Sequence, residues 1–128
     1  MKTPGSVRVL LVDDLEFMRT MLRELLEPEG FIVCGEARNG QEALVQYEHL
    51  LPDITVLDIT MPEMDGLTAL RKLRQNFPEA CVVMCSAISE QALILKAITW
   101  GAQDYIVKPF RPARVLRALK RAVGLEVL

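Results

Sequence analysis

No apolar run in this sequence approaches the roughly 20 residues that a membrane-spanning helix needs, so a transmembrane protein is not expected. An excess of one charge is also missing. The formal net charge is −2, which gives no electrostatic reason to expect nucleic acid or an anionic membrane as a partner. Cysteine is sparse and odd in number: Cys34, Cys81 and Cys85 lie in apolar strand candidates. A disulfide framework is not expected from them. No other soft ligand clusters near Cys81 and Cys85, so all three read as buried structural thiols rather than as metal ligands. Histidine is reduced to His49, late in a polar helix beside Glu48, which reads as solvated rather than catalytic. The start, Met1-Lys2-Thr3-Pro4-Gly5-Ser6, is short and polar and leads into a strand carrying Arg8. It has no apolar core of the kind a signal peptide requires, and the expected location is the cytoplasm. Internal repeats, linkers and low-complexity segments are absent as well. The 128 residues therefore read as a single domain spanning 1–128, a monomer large enough to bury roughly two-thirds of its unfolded surface.

Strand and helix patterns alternate along the whole chain. Val7-Arg8-Val9-Leu10-Leu11-Val12 and Ile54-Thr55-Val56-Leu57 are near-continuous apolar runs, the pattern of strands buried on both faces of a parallel sheet. Phe31-Ile32-Val33-Cys34, Cys81-Val82-Val83-Met84-Cys85 and Tyr105-Ile106-Val107 supply three more strands. Between them lie helices. The first carries the stripe Phe17, Met18, Met21, Leu22 and Leu25 at helical spacing. Asn39 caps the second, with Glu42 three residues on as in a capping box. Asp65 caps the third and Ser89 the fourth, which runs to Trp100. Gly101 suits a left-handed position after it. A last helix runs from about Pro112 to Val123, and about five residues follow it. Strict alternation with short connections implies a (βα)5 protein, a parallel sheet covered by helices on both faces.

The chemistry falls at the strand ends. Asp13 and Asp14 follow the first strand, Asp58 the third, Ser86 the fourth and Lys108 the fifth. All therefore lie at the carboxyl edge of the sheet, where open α/β sheets bind ligands. An order of 2-1-3-4-5 places the first and third strands side by side and brings the three carboxylates together. Three acids in one place repel unless a cation joins them, and carboxylates with a backbone carbonyl and water suit Mg²⁺. Lys108 and the Ser86 hydroxyl suit an incoming phosphoryl group. Asp58, central and followed by a loop able to offer backbone N–H groups, is the best placed nucleophile for an aspartyl phosphate.

Val12-Asp13-Asp14, Leu57-Asp58-Ile59-Thr60-Met61-Pro62-Glu63-Met64-Asp65-Gly66, Ser86-Ala87 and Lys108-Pro109-Phe110 together resemble the response-regulator receiver family of two-component signalling, over essentially the whole chain. The resemblance implies a flavodoxin-like doubly wound sheet in the order 2-1-3-4-5. It implies that Asp58 accepts a phosphoryl group from a phosphohistidine of a sensor histidine kinase. Asp14, Asp58 and the Thr60 carbonyl would ligate Mg²⁺, and Asp13 would assist through water. Lys108 would contact the phosphoryl group, Ser86 would swing toward it, and Tyr105 would turn inward, changing the face formed by the fourth helix, fifth strand and last helix. The Lys108-Pro109 bond is expected to be cis. Within the family, Phe17-Met18-Arg19 and Cys85-Ser86-Ala87 look most like the stand-alone chemotaxis type. Such a protein signals by docking on a target, such as a flagellar motor switch, and a phosphatase is a further expected partner. In this family two positions flanking the acceptor, here Thr60 and Ile88, orient the hydrolytic water. Ile88 cannot hydrogen-bond one, so Ile88→Glu or Gln is expected to raise self-dephosphorylation.

Two features bear on partners. Arg111, Arg114, Arg117, Lys120 and Arg121 give the last helix five cations and no acid. They read as a solvated face, with steering toward an acidic partner segment as the alternative. Trp100 reads as packing against the sheet edge near Tyr105. The rival functions are weaker. A phosphatase of the haloacid dehalogenase type needs Asp-x-Asp, which Asp58-Ile59-Thr60 lacks, so an enzyme acting on outside substrates is not expected. A receiver cut from a longer transcriptional or enzymatic regulator remains the main alternative.

Overall fold

A computed structural model describes residues 4–125. The elements run β1 (Arg8–Val12), α1 (Glu16–Leu26), β2 (Ile32–Ala37), α2 (Gly40–Leu50), β3 (Ile54–Asp58), α3 (Gly66–Asn76), β4 (Val82–Ala87), α4 (Gln91–Thr99), β5 (Asp104–Lys108) and α5 (Pro112–Ala122). All strand pairs are parallel, and the sheet order is β2-β1-β3-β4-β5. The flavodoxin-like (βα)5 expectation holds.

The two faces of the sheet follow from period-two alternation along each strand. Leu10, Val12, Leu57, Met84 and Val82 pack with the inner sides of α2, α3 and α4. Val9, Leu11, Ile54, Val56, Val83, Cys85 and Ile106 pack with Leu22, Leu26, Val115, Ala118 and Leu119 of α1 and α5. Continuing the second phase to the strand ends places Asp13 after Leu11, Asp58 after Val56 and Lys108 after Ile106. The alternation that builds the α1–α5 side of the core thus delivers one cation and two acids to the same side of the carboxyl edge. Ser86 is in the other phase, with Val82 and Met84.

Several boundaries differ from expectation. β2 does not stop at Cys34. Its register with β1 slips between Val9 and Leu10, so one extra residue is accommodated and pairing continues to Ala37. Phe17 is not in the buried stripe of α1 and is 71% exposed. The inward positions are Arg19, Leu22 and Leu26, a stripe rotated by a buried arginine that an apolar pattern does not reveal. Ser89 does not cap α4: it lies inside a 3-10 turn, Ile88–Glu90, and α4 begins at Gln91. Only Cys85 of the three free thiols is buried, while Cys34 and Cys81 are half-buried near the sheet's edge and end. Asn39 and Asp65 cap as expected, accepting from the amides of Glu42 and Thr68 at 2.8 and 2.9 Å. Glu42 returns its bond to the amide of Arg38 (3.0 Å), one residue before the cap. Gly101 has φ +103°, the left-handed conformation expected of it, and the Lys108-Pro109 peptide is cis. Among the described residues no helix is long and apolar enough to cross a membrane.

Candidate functional site

Asp13, Asp14 and Asp58 each present a carboxylate oxygen, and these oxygens lie within 4.8 Å of one another. Asp13 and Asp58 are buried, whereas Asp14 is exposed. Their local structure leaves the carboxylates free for this arrangement. Leu15 occupies the N-cap position of α1 without a side-chain cap, so Asp14 is not a capping residue. Asp13 accepts from the Leu15 amide with Oδ1 (3.0 Å) and binds the Lys108 ammonium with Oδ2 (2.9 Å). Lys108 Nζ also lies 3.2 Å from Asp58 Oδ2. One lysine therefore bridges the first and third strand ends, leaving the four groups with a net negative charge.

The electrostatics follow from this crowding. Burial, with the Asp13 charge beside it, pushes the Asp58 carboxyl up to about 6, although Lys108 pulls the other way. Burial works to lower Lys108, but its hydrogen bond to Asp13 and the charge of Asp58 outweigh that and hold the ammonium above its ordinary value. Cys85, paired with Asp58 across β3 and β4, is driven well upward by burial and by the Asp58 charge. It is a neutral thiol and neither nucleophile nor ligand here.

The loop after Asp58 is shaped by close packing. A Cβ at position 66 would lie 1.9 Å from the Asp58 carbonyl oxygen, so only glycine fits, and the Gly66 amide donates to the Ile59 carbonyl (2.7 Å). Thr60, within this loop, is exposed, and its hydroxyl donates to Glu90 Oε2. Ser86 is fully buried, and its Oγ has no hydrogen-bond partner, a condition shared only with Thr55 Oγ1 among buried side chains of the described residues. An orphaned buried hydroxyl costs about 1–3 kcal/mol. Ser86 lies at the carboxyl end of β4, one residue after the register partner of Asp58 and one before that of Lys108.

Asp13, Asp14, Asp58, Ser86 and Lys108 are thus brought to one edge, with Thr60 in the adjoining loop. Tyr105 stands apart, 37% exposed, with the Arg114 guanidinium 5.7 Å from its ring centroid. The side chain of Ile88 lies outside the described residues. Three residues were not foreseen. Arg19, 8% exposed, donates to the Asp13 carbonyl (2.6 Å) and to Glu36 (2.7 Å), and Glu36 also accepts from Arg23 (2.7 Å). Hydrogen bonds from Arg23 and Arg19 outweigh burial and hold Glu36 below the usual carboxylate range. Glu90 takes the Ala87 amide at 2.7 Å. Its three-residue spacing from Ala87 is that of the acidic half of a capping box, a signal present in the sequence.

The switch-face expectations are partly redrawn. Leu95, Ile98 and Tyr105 are exposed at 73, 43 and 37% and, with Gln91 and Ile94, line a groove of about 560 Å³ along α4 and β5. Of the five cations, Arg111 precedes α5 at its N-cap position. Arg114 is engaged by Asp104 (3.2 Å) and the Tyr105 carbonyl (2.9 Å). Arg111, Arg117 and Arg121 are exposed. Trp100 is half-buried against the α2–α3–α4 side of the core, with the Arg71 guanidinium 4.8 Å from its ring, so its neighbour is α3.

The profile of the response regulator receiver domain matches residues 9–120. A chemotaxis protein CheY of Thermotoga maritima is 49% identical over 114 residues, covering 89% of this chain and 95% of that protein. A protein-glutamate methylesterase/protein-glutamine glutaminase of Pyrococcus abyssi is 41% identical over 98% of this chain but only 35% of its own length. Among solved structures, the CheX-CheY-BeF3-Mg complex from Borrelia burgdorferi superposes with a TM-score of 0.88 at 36% identity, covering 94% of this chain and 90% of that one.

Proposed function

The chain belongs to the response regulator receiver family, most like its chemotaxis CheY members, and on that premise we propose that it is a phosphorylated switch whose acceptor is Asp58. The observation that carries this reading is the Lys108 ammonium set between Asp13 and Asp58 (2.9 and 3.2 Å), with Asp14 closing a three-carboxylate cluster. In the proposed reaction an Asp58 oxygen attacks phosphorus, the bond to the donor imidazole nitrogen of a sensor histidine kinase breaks, and its electron pair returns to the ring. Lys108 steadies the phosphoryl oxygens as negative charge spreads over them. The Ser86 hydroxyl gains its first hydrogen-bond acceptor.

Mg²⁺ fits the donor set, hard oxygens in surplus negative charge. Asp14, Asp58 and the Thr60 carbonyl would hold it, with Asp13 assisting, and it would neutralise charge at the acceptor. The protein itself turns over no outside substrate; it promotes its own phosphorylation and dephosphorylation. Output follows if Ser86 moves, space opens for the Tyr105 ring, and the α4–β5–α5 face, with its Leu95–Ile98–Tyr105 groove, docks on a target protein in the cytoplasm. A flagellar motor switch is the target that chemotaxis suggests, with a phosphatase to reset the signal. The match to part of the longer methylesterase keeps a second reading, a receiver that regulates a larger protein.

Intact mass after incubation with acetyl phosphate tests the acceptor. Wild type with Mg²⁺ gains one phosphoryl group, and EDTA or Asp58→Asn abolishes the gain. A gain that survives Asp58→Asn overturns the assignment.

A further inference from the structure

Glu90 does two things at once. Its Oε1 accepts from the amide of Ala87 (2.7 Å), the residue directly after Ser86 and the register partner of Lys108. Its Oε2 accepts from the hydroxyl of Thr60, two residues after Asp58. A carboxylate thus spans from the loop that follows β4 to the loop that follows β3. Ordinary capping of the turn Ile88–Glu90 accounts for the first bond and not for the second. The Glu90 charge also reaches the acceptor, being among those that raise Asp58.

The two donors Glu90 occupies, a backbone amide beside an orphaned hydroxyl and a hydroxyl beside the acceptor, are the kind an incoming tetrahedral anion recruits. We propose that Glu90 is a positioning residue of the phosphoryl site, an internal anion that latches the loop after Asp58 to the loop after Ser86 until a phosphoryl group displaces it. Displacement frees Ala87 and Ser86 to move together, because one peptide joins them, and it releases the turn that leads into α4. The latch ties occupancy of Asp58 to the start of the helix carrying Leu95 and Ile98. It also sets the cost of loading the site, since an arriving anion competes with one already there. This inference rests on the phosphoacceptor reading.

Calorimetric titration of beryllofluoride in saturating Mg²⁺ tests it on wild type, Glu90→Gln and Glu90→Ala, with thermal unfolding in EDTA to verify that each variant folds. Glu90→Ala removes both bonds and the charge, and affinity should tighten roughly tenfold or more, the scale of losing one charge-assisted hydrogen bond from the competing state. Glu90→Gln keeps a carbonyl for the Ala87 amide and a group able to bond Thr60. Its affinity should fall between wild type and Glu90→Ala. Equal tightening in both variants would reduce Glu90 to a repelling charge and overturn the latch, as would unchanged or weakened binding. Failure of wild type to bind at all, or binding undiminished by Asp58→Asn, would instead remove the phosphoacceptor reading on which the latch depends.

Discussion

At the scale of single residues, the site is a set of side chains held in unfavourable states. Asp58 carries the clearest cost. Its carboxyl is raised from 3.8 to about 6, so between those values the folded chain binds more protons than the unfolded one, and stability falls as pH rises. The destabilisation is complete above the folded value and disappears below the unfolded one. It amounts to on the order of 2–3 kcal/mol at neutral pH. In EDTA, urea unfolding should therefore show wild type gaining stability as pH falls from 7 toward 5, and Asp58→Asn should be more stable than wild type at pH 7 by about 2 kcal/mol with a flat profile over that interval. Gly66 is the opposite case, a residue that works by having no side chain. A methyl group placed 1.9 Å from the Asp58 carbonyl must displace backbone, so Gly66→Ala should lower stability by about 3 kcal/mol or more, and urea titration measures it. Both the acids and Lys108 were legible in the sequence, because strand-end position and period-two phase are read from residue order. Glu90's bond to the Ala87 amide had a local signal in its capping-box spacing, but its bond to Thr60 and the contact of Arg19 with Glu36 did not, since those partners lie 30 and 17 residues away.

At the scale of elements, α1 shows where pattern reading stops. An apolar count puts Phe17 inside, but the stripe that packs is Arg19, Leu22 and Leu26. Arg19 can be buried because the Asp13 carbonyl and Glu36 take its donors, and Glu36 is available because the slipped register of β2 extends the strand past Cys34. A local irregularity in an edge strand thus supports the turn that holds Asp13 and Asp14. Arg19→Met should keep much of the buried stem's packing while freeing that turn. The expected result is weaker Mg²⁺ binding by roughly tenfold with a smaller loss of stability than Arg19→Ala, read by metal titration and urea unfolding of the same samples. The α4 N-terminus teaches a related lesson. Ser89 has the right chemistry for a cap, but Glu90 reaches the Ala87 amide and the helix begins later. The (βα)5 order survived these errors because alternation of apolar runs and short loops is a global pattern that single caps do not alter.

At the scale of the whole molecule, the sheet is a stable frame with a costly edge. Both faces are packed, and the crowded charges gather where strands end: three acids and one lysine, with the unpartnered Ser86 hydroxyl at the end of β4. A ligand that joins them should raise the stability of the entire fold. With Mg²⁺ at 100 times its dissociation constant the gain is about 2.7 kcal/mol, visible as an upward shift of several degrees in the thermal midpoint, and Asp14→Asn should remove most of it. The central claim is that one particular aspartate, and not its two neighbours, receives the phosphoryl group. Borohydride reduces an acyl phosphate to the alcohol, so the chain loaded with acetyl phosphate and Mg²⁺, reduced and sequenced by tandem mass spectrometry, reports the acceptor directly. The account predicts homoserine at position 58 alone; reduction at Asp13 or Asp14, or none at all in a chain that had gained the phosphoryl mass, would contradict it.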